Sequence, residues 1–170
     1  KHEAKADAKG EFGAGFDAKF GLTSSLNLDL TVLPDFSQVE VDVQQTNLDR
    51  FELFFPERRQ FFIENGDIFN NFGSASLRPF FSRRVGLDAP IYYGSKVSGK
   101  LNDNWRIGGM NMLTGKNSDG VAGSNYTVIS TQRKIFKRSY IGAIYVDRET
   151  TLRKNHDSTN KLADFNRTFG

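Results

Sequence analysis

Short connections between alternating segments each give way to a long one, and this rhythm limits what the chain can fold into. The short ones are Gly21 to Ser25, Leu101 to Asn104 and Lys134 to Arg138; the long ones run from Leu33 to Pro90, Thr114 to Gly123 and Arg148 to Leu162. Transmembrane β-barrels of the outer membrane are built this way, with tight periplasmic turns and extended outer loops. Between the connections the residues alternate with period two. Phe12, Ala14, Phe16, Ala18 and Phe20 share one face, with Gly13, Gly15, Asp17 and Lys19 on the other. Leu26, Leu28, Leu30 and Val32 then alternate with Asn27, Asp29 and Thr31, which predicts an antiparallel hairpin with matching polar faces. In a barrel, Phe12, Phe16, Phe20, Leu26, Leu28 and Leu30 would face lipid.

A second hairpin is predicted from Ile91 to Lys100 and Trp105 to Leu113, joined by the turn formers Asn102-Asp103-Asn104. Gly94, Gly99, Gly108 and Gly109 interrupt its pattern, and Gly108-Gly109 reads as packing within strands. A third hairpin pairs Tyr126 to Arg133 with Tyr140 to Asp147; both of its faces are apolar, so lipid and lumen sides stay unassigned. Ala163, Phe165, Arg167 and Phe169 start a further strand. The chain begins at Lys1 without a signal sequence and ends inside that run, so a fragment of a larger barrel is expected. A soluble antiparallel sandwich alternates in the same manner and is the competing fold.

Composition removes other classes. No apolar run approaches the roughly 18 to 20 residues of a spanning helix, whereas a barrel strand needs only about 9 to 11, half of them facing lipid. A mean hydropathy of −0.49 is therefore compatible with a barrel. Phenylalanine dominates an aromatic content of 13%, which suits interfacial girdles. The net charge of +3 is mild and its cations are scattered among acids, so nucleic acid is not an expected partner.

The connection from 33 to 90 is too long for a structureless loop in a compact domain. Val39, Val41 and Val43 alternate with Glu40 and Asp42 as a short strand. Phe51, Phe54, Phe55, Phe61, Phe62 and Phe69 then interleave with Glu52, Glu57, Arg58, Arg59, Glu64 and Asp67, and Arg83 and Arg84 follow. Large aromatic surface carrying both charge signs predicts an insertion that folds inward as a plug or caps the rim. Arginine and carboxylate would act as two-point fasteners against a polar wall. Ordinary structural ion pairs are one outcome; a charge-selective constriction of Glu57, Arg58, Arg59, Glu64, Asp67, Arg83 and Arg84 is the other.

Three blocks here carry a resemblance. Thr31 to Asp42 reads TVLPDFSQVEVD, Asn47 to Phe69 contains FFPERRQFFIE, and Phe81 to Gly86 reads FSRRVG. They resemble, in order, the NPDFSQVEAD, FFPEKRPFFLE and YSRRIG blocks of the domain of unknown function 5916 family. The matching positions include Pro34, Asp35, Phe36, Gln38, Glu40, Phe55, Pro56, Phe61 and Phe62, and the similarity extends from about Gly15 to Thr114. Departures are Leu33 for Asn, Gln60 for Pro and Phe81 for Tyr; losing the proline leaves the corner after Arg59 less rigid. The resemblance implies an outer-membrane β-barrel of Gram-negative bacteria, usually behind a family 9 carbohydrate-binding module that lies outside these residues.

Catalysis is not expected. A glycosidase needs a carboxylic acid of raised pKa, yet Glu57, Glu64 and Asp67 are all shadowed by arginines, which lower it. His2 and His156 lack a second ligand at metal spacing, and neither Asp35, Glu40 and Asp42 nor the loop Asn155 to Ser158 has the ligand order of a calcium loop. No metal and no cofactor is expected. The expectation is thus an all-β chain, residues 1–170, forming part of one transmembrane barrel in the outer membrane with 33–90 as plug or cap. It would serve passage, docking or assembly, with outer-membrane lipid, membrane-complex subunits and a glycan held by the absent module as partners. The alternatives are a carbohydrate-binding sandwich using Tyr92, Tyr93 and Trp105, and a scaffold subunit that conducts nothing.

Overall fold

The computed structural model describes residues 15–34, 56–73, 78–86, 89–116, 122–151 and 165–170. Its strands are β1 (Phe16–Gly21), β2 (Leu26–Val32), β3 (Ile91–Lys100), β4 (Trp105–Thr114), β5 (Ser124–Lys134), β6 (Tyr140–Thr150) and β7 (Phe165–Phe169). They form one seven-stranded sheet in which chain order is spatial order and every pairing is antiparallel. The protein is all-β as expected. β2 and β3 have the expected bounds, while β5 starts earlier and β6 ends later than expected, each running further toward the long connection at that end. Phe12, Ala14 and the Val39 to Val43 run lie outside the described residues.

The short turns are closed by local chemistry. Leu22 N donates to Leu26 O at 2.9 Å, and Ile135 N to Ser139 O at 3.0 Å. Between β3 and β4 the Asn102 side-chain oxygen accepts from the Asn104 and Trp105 amides at 3.0 and 2.9 Å, an Asx turn of the kind its sequence invites.

Period two divides the sheet into a covered and an open face. The covered face carries Asp29, Thr31, Lys96, Ser98, Gly108, Met110, Met112, Val128, Ser130 and Ile144, all buried. Two short helices, α1 (Gln60–Ile63) and α2 (Asp67–Asn70), and a 3-10 turn (Ser82–Arg84) lie over it. Phe62, Ile68, Phe69, Phe80 and Val85 from this segment join Met110, Met112, Val128 and Ile144 in one core. Burial of each such side chain contributes about 1.5 to 3 kcal/mol. The third hairpin looked apolar on both sides because Ile144 and Val146 meet this segment while Ile141, Ala143 and Tyr145 point the other way.

Among the described side chains of the open face, all are exposed or partly exposed except Leu26. That leucine, expected to face outward, is buried at the first turn, where β3 closes on Ser25 and Leu26 beside Gly99. Register aligns Phe20, Leu28, Val97, Gly109, Ile129, Tyr145 and Phe169 in one row across the sheet. On β1 and β2 the apolar residues continue from this row toward the long connections, as Ala18, Phe16, Leu30 and Val32. On β6 they continue toward the short turns, as Ala143 and Ile141, and the long-connection side holds Asp147 and Glu149. The apolar band therefore crosses the strands obliquely.

Candidate functional site

The chemistry is concentrated where the 56–86 segment meets the sheet. Glu57 accepts from its own neighbourhood first: the Arg58 and Arg59 amides reach Oε1 at 3.1 and 3.0 Å. The Arg59 guanidinium then grips the carboxylate at two points, Nε to Oε1 at 2.9 Å and Nη2 to Oε2 at 2.8 Å. Its remaining donors reach Val85 O at 2.6 Å and Ser82 O at 2.7 Å, and Ser82 Oγ donates to Glu57 at 2.6 Å. Arg83 donates to Pro56 O at 2.7 Å. The guanidinium lies 4.1 Å from the centre of the Phe62 ring. A planar five-donor fork can make all these bonds together and a lysine cannot. The PER and SRR stretches, distant in sequence, are thereby stapled into one unit.

A second set of contacts fixes that unit to the sheet. Lys96, 1% exposed, donates to Glu64 O at 3.0 Å and to Phe61 O, both at the carboxyl end of α1, and pairs with Asp29 at 3.2 Å. A cation there suits carbonyls left without helical partners. Lys19 of β1 pairs with Glu64 and lies 3.7 Å from Asp29. Arg106 of β4 takes Asp67 at 2.7 and 3.2 Å. Ser130 Oγ donates to Ile68 O at 2.7 Å, and Asn65 to Ser98 Oγ at 3.1 Å. Asn65 turns the chain between the two helices at φ 51°, a conformation asparagine tolerates.

Between these anchors, glycines on the covered face leave room for the segment's side chains. A Cβ on Gly108 would lie 2.5 Å from Ile68 Cγ2 and 2.7 Å from Phe69 Cζ. One on Gly94 would meet Phe61 at 3.2 Å, and one on Gly142 would meet Phe72 at 3.1 Å. Gly109, facing the other way, has nothing within 4 Å. The glycine of the predicted strand packing, Gly108, thus seats the insertion.

All three acids of the segment titrate below the ordinary carboxylate range. Burial pushes Glu57 up, but the hydrogen bonds from Arg59 and Ser82 outweigh it. The Lys19 and Gln60 hydrogen bonds lower Glu64, and the Arg106 hydrogen bond lowers Asp67 against a smaller burial effect.

The seven charged residues singled out in the sequence fall into different settings. Glu57, Arg59 and Arg83 build the staple, Glu64 and Asp67 anchor it to the sheet, and Arg58 and Arg84 are exposed. Pro56, Phe61 and Phe62 belong to the staple and core, and Pro34 follows β2; Asp35, Phe36, Gln38, Glu40 and Phe55 lie outside the described residues. Lys19, Lys96, Arg106, Ser82 and Ser130 were not foreseen. Lys96 had one signal: a lysine in the middle of an alternating ten-residue strand must face a polar environment. Tyr93 and Trp105 lie at opposite ends of the β3–β4 hairpin, since Tyr93 pairs with Leu113. Among the described residues no group of three or more His, Cys, Asp or Glu could hold a metal ion, and no helix is long and apolar enough to cross a membrane.

Sequential antiparallel strands with an aromatic, ion-paired segment clamped to one face define a β-meander with a built-in packing element. The chain belongs to the family described as Domain of unknown function (DUF5916), which it matches over residues 1–95, through the three blocks and into β3. No curated protein and no solved structure matches it.

Proposed function

We propose that the chain is part of an outer-membrane β-barrel in which the 56–86 segment lies on the lumen side as a plug, and that the protein serves passage, docking or assembly at that membrane. The open face carries the reading. Phe16, Phe20, Val32, Ile129, Ile141 and Phe169 are each more than two-fifths exposed there, and large apolar side chains sharing one face suit a surface covered by lipid or a partner. Its oblique course is what a flat membrane traces across strands tilted by about 35 to 45°. Arg133, held 5.3 Å from the Trp105 ring at the short-turn end, suits an interfacial girdle.

The plug is fastened by charges and filled by aromatics, so passage beside these strands requires its displacement. A link to glycan uptake rests on the carbohydrate-binding module that usually precedes the family's barrels. A soluble carbohydrate-binding sandwich is the competing reading, favoured by adjacent Tyr92 and Tyr93, which are 46% and 37% exposed. Fractionation of the full-length protein, followed by gel mobility of boiled and unboiled samples, separates the two. A detergent-extracted band that shifts on boiling supports the barrel, and conductance with and without the plug then tests passage. A periplasmic protein with no shift overturns it.

A further inference from the structure

We infer that the turn between β5 and β6 is a docking surface for the anionic headgroups of phospholipids in the leaflet on the short-turn side. The inference rests on the membrane reading above and adds a partner to it. Arg133, Lys134, Lys137 and Arg138 crowd the end of β5 and its turn, all exposed. Among the described residues none of the four is ion-paired, and Asp103 is the acid of the adjoining turn. Cations this close repel one another, and an anion among them relieves that repulsion.

Two apolar residues sit within the same cluster. Ile135 and Phe136 are 40% and 72% exposed, and Tyr140 beyond the turn is 62% exposed. The tip is held by Ile135 N on Ser139 O at 3.0 Å and is tied to the neighbouring turn by Lys134 N on Asn104 O at 2.8 Å. Trp105 and Ile141, register partners of Arg133, place aromatic and aliphatic surface beside it. An exposed apolar pair flanked along the turn by cations matches a phospholipid: acyl chain against the pair, phosphate against arginine and lysine. A free phosphate would use the cations and leave Phe136 without a role.

The test uses full-length protein folded in detergent, with phosphatidylglycerol or phosphatidylcholine added and retained lipid measured by native mass spectrometry. Wild type is expected to retain phosphatidylglycerol over phosphatidylcholine by roughly fivefold or more, the effect of about one basic side chain at a headgroup. The preference should shrink as salt is raised. Changing Arg133→Gln, Lys134→Gln, Lys137→Gln and Arg138→Gln together should bring the ratio near unity with unboiled gel mobility unchanged. The tip pair Lys137→Gln and Arg138→Gln serves as a milder variant and should lower the ratio in part. A heat-modifiable wild type without the preference, or variants that keep it, would overturn the lipid site and leave the barrel standing. A soluble protein with no boiling shift would overturn both.

Discussion

Lys96, buried in the middle of β3, donates to the main-chain oxygen of Glu64 at 3.0 Å. One side chain of the sheet thus completes a helix that is too short to hold itself, since isolated short helices are marginal in water. Lys96→Met would leave that oxygen, Phe61 O and part of Asp29 without a partner. A loss of about 3 kcal/mol is expected, read as the urea midpoint in micelles. Adding Asp29→Asn should recover part of it; strictly additive effects would disprove the coupling.

Two adjacent glycines make opposite predictions. Gly108→Ala drives a methyl into Ile68 and Phe69 and should cost about 1 to 3 kcal/mol. Gly109→Ala projects into open space and should be neutral or mildly stabilising. Equal effects in thermal unfolding would refute the seating of the segment on Gly108.

Where this chain departs from its family's blocks, it should gain by returning to them. Leu33 sits at φ 47°, a left-handed conformation costly for leucine and easier for asparagine, so Leu33→Asn should stabilise by about 1 kcal/mol. Gln60 is the first residue of α1, and Arg59 before it is extended at ψ 122°, as a residue preceding proline must be. Gln60→Pro should add about 0.4 to 1 kcal/mol. A lowered unfolding midpoint for either would contradict the local geometry.

Acid should open the staple. The Glu57 carboxyl is held below its unfolded value, so its contribution is full above about pH 4.3 and is lost as pH falls through the lower folded value. Protection factors of the Arg58 and Arg59 amides should fall over that range, and Glu57→Gln should abolish the pH dependence. A profile unchanged by Glu57→Gln would assign the transition to another group.

Charge on the open face distinguishes membrane from water. Ile129, 54% exposed in the central row, should cost about 2 to 4 kcal/mol as Ile129→Arg if that row lies near a bilayer midplane. On a face that meets water the same change should stay within about 0.5 kcal/mol. In refolding into vesicles, the second result would count against the lipid-facing assignment.

Strand positions were legible because period two survives in every strand whose faces meet different surroundings. Leu26 to Val32 shows it without interruption, and its polar face matches the covered face. Gly94 and Gly108 weakened the pattern of β3 and β4 because they are shaped by the segment packed on them, which no local period encodes. Helices of four residues, α1 and α2, leave no periodic trace. Pairing between arginine and acid was legible as chemistry but not as geometry. Glu57 found Arg59 two residues away, whereas Asp67 found Arg106 only through the register of the sheet.

The place of the insertion also sets an order of assembly. Neighbours β3 to β7 meet through connections that are local in sequence, but β2 meets β3 only after everything from Leu33 to Pro90 has been accommodated. Closing that span costs loop entropy before its hydrogen bonds form, so the later strands can zip first. The first hairpin then joins a surface already bearing Lys96, and the collapse of the segment and the arrival of Asp29 become one event.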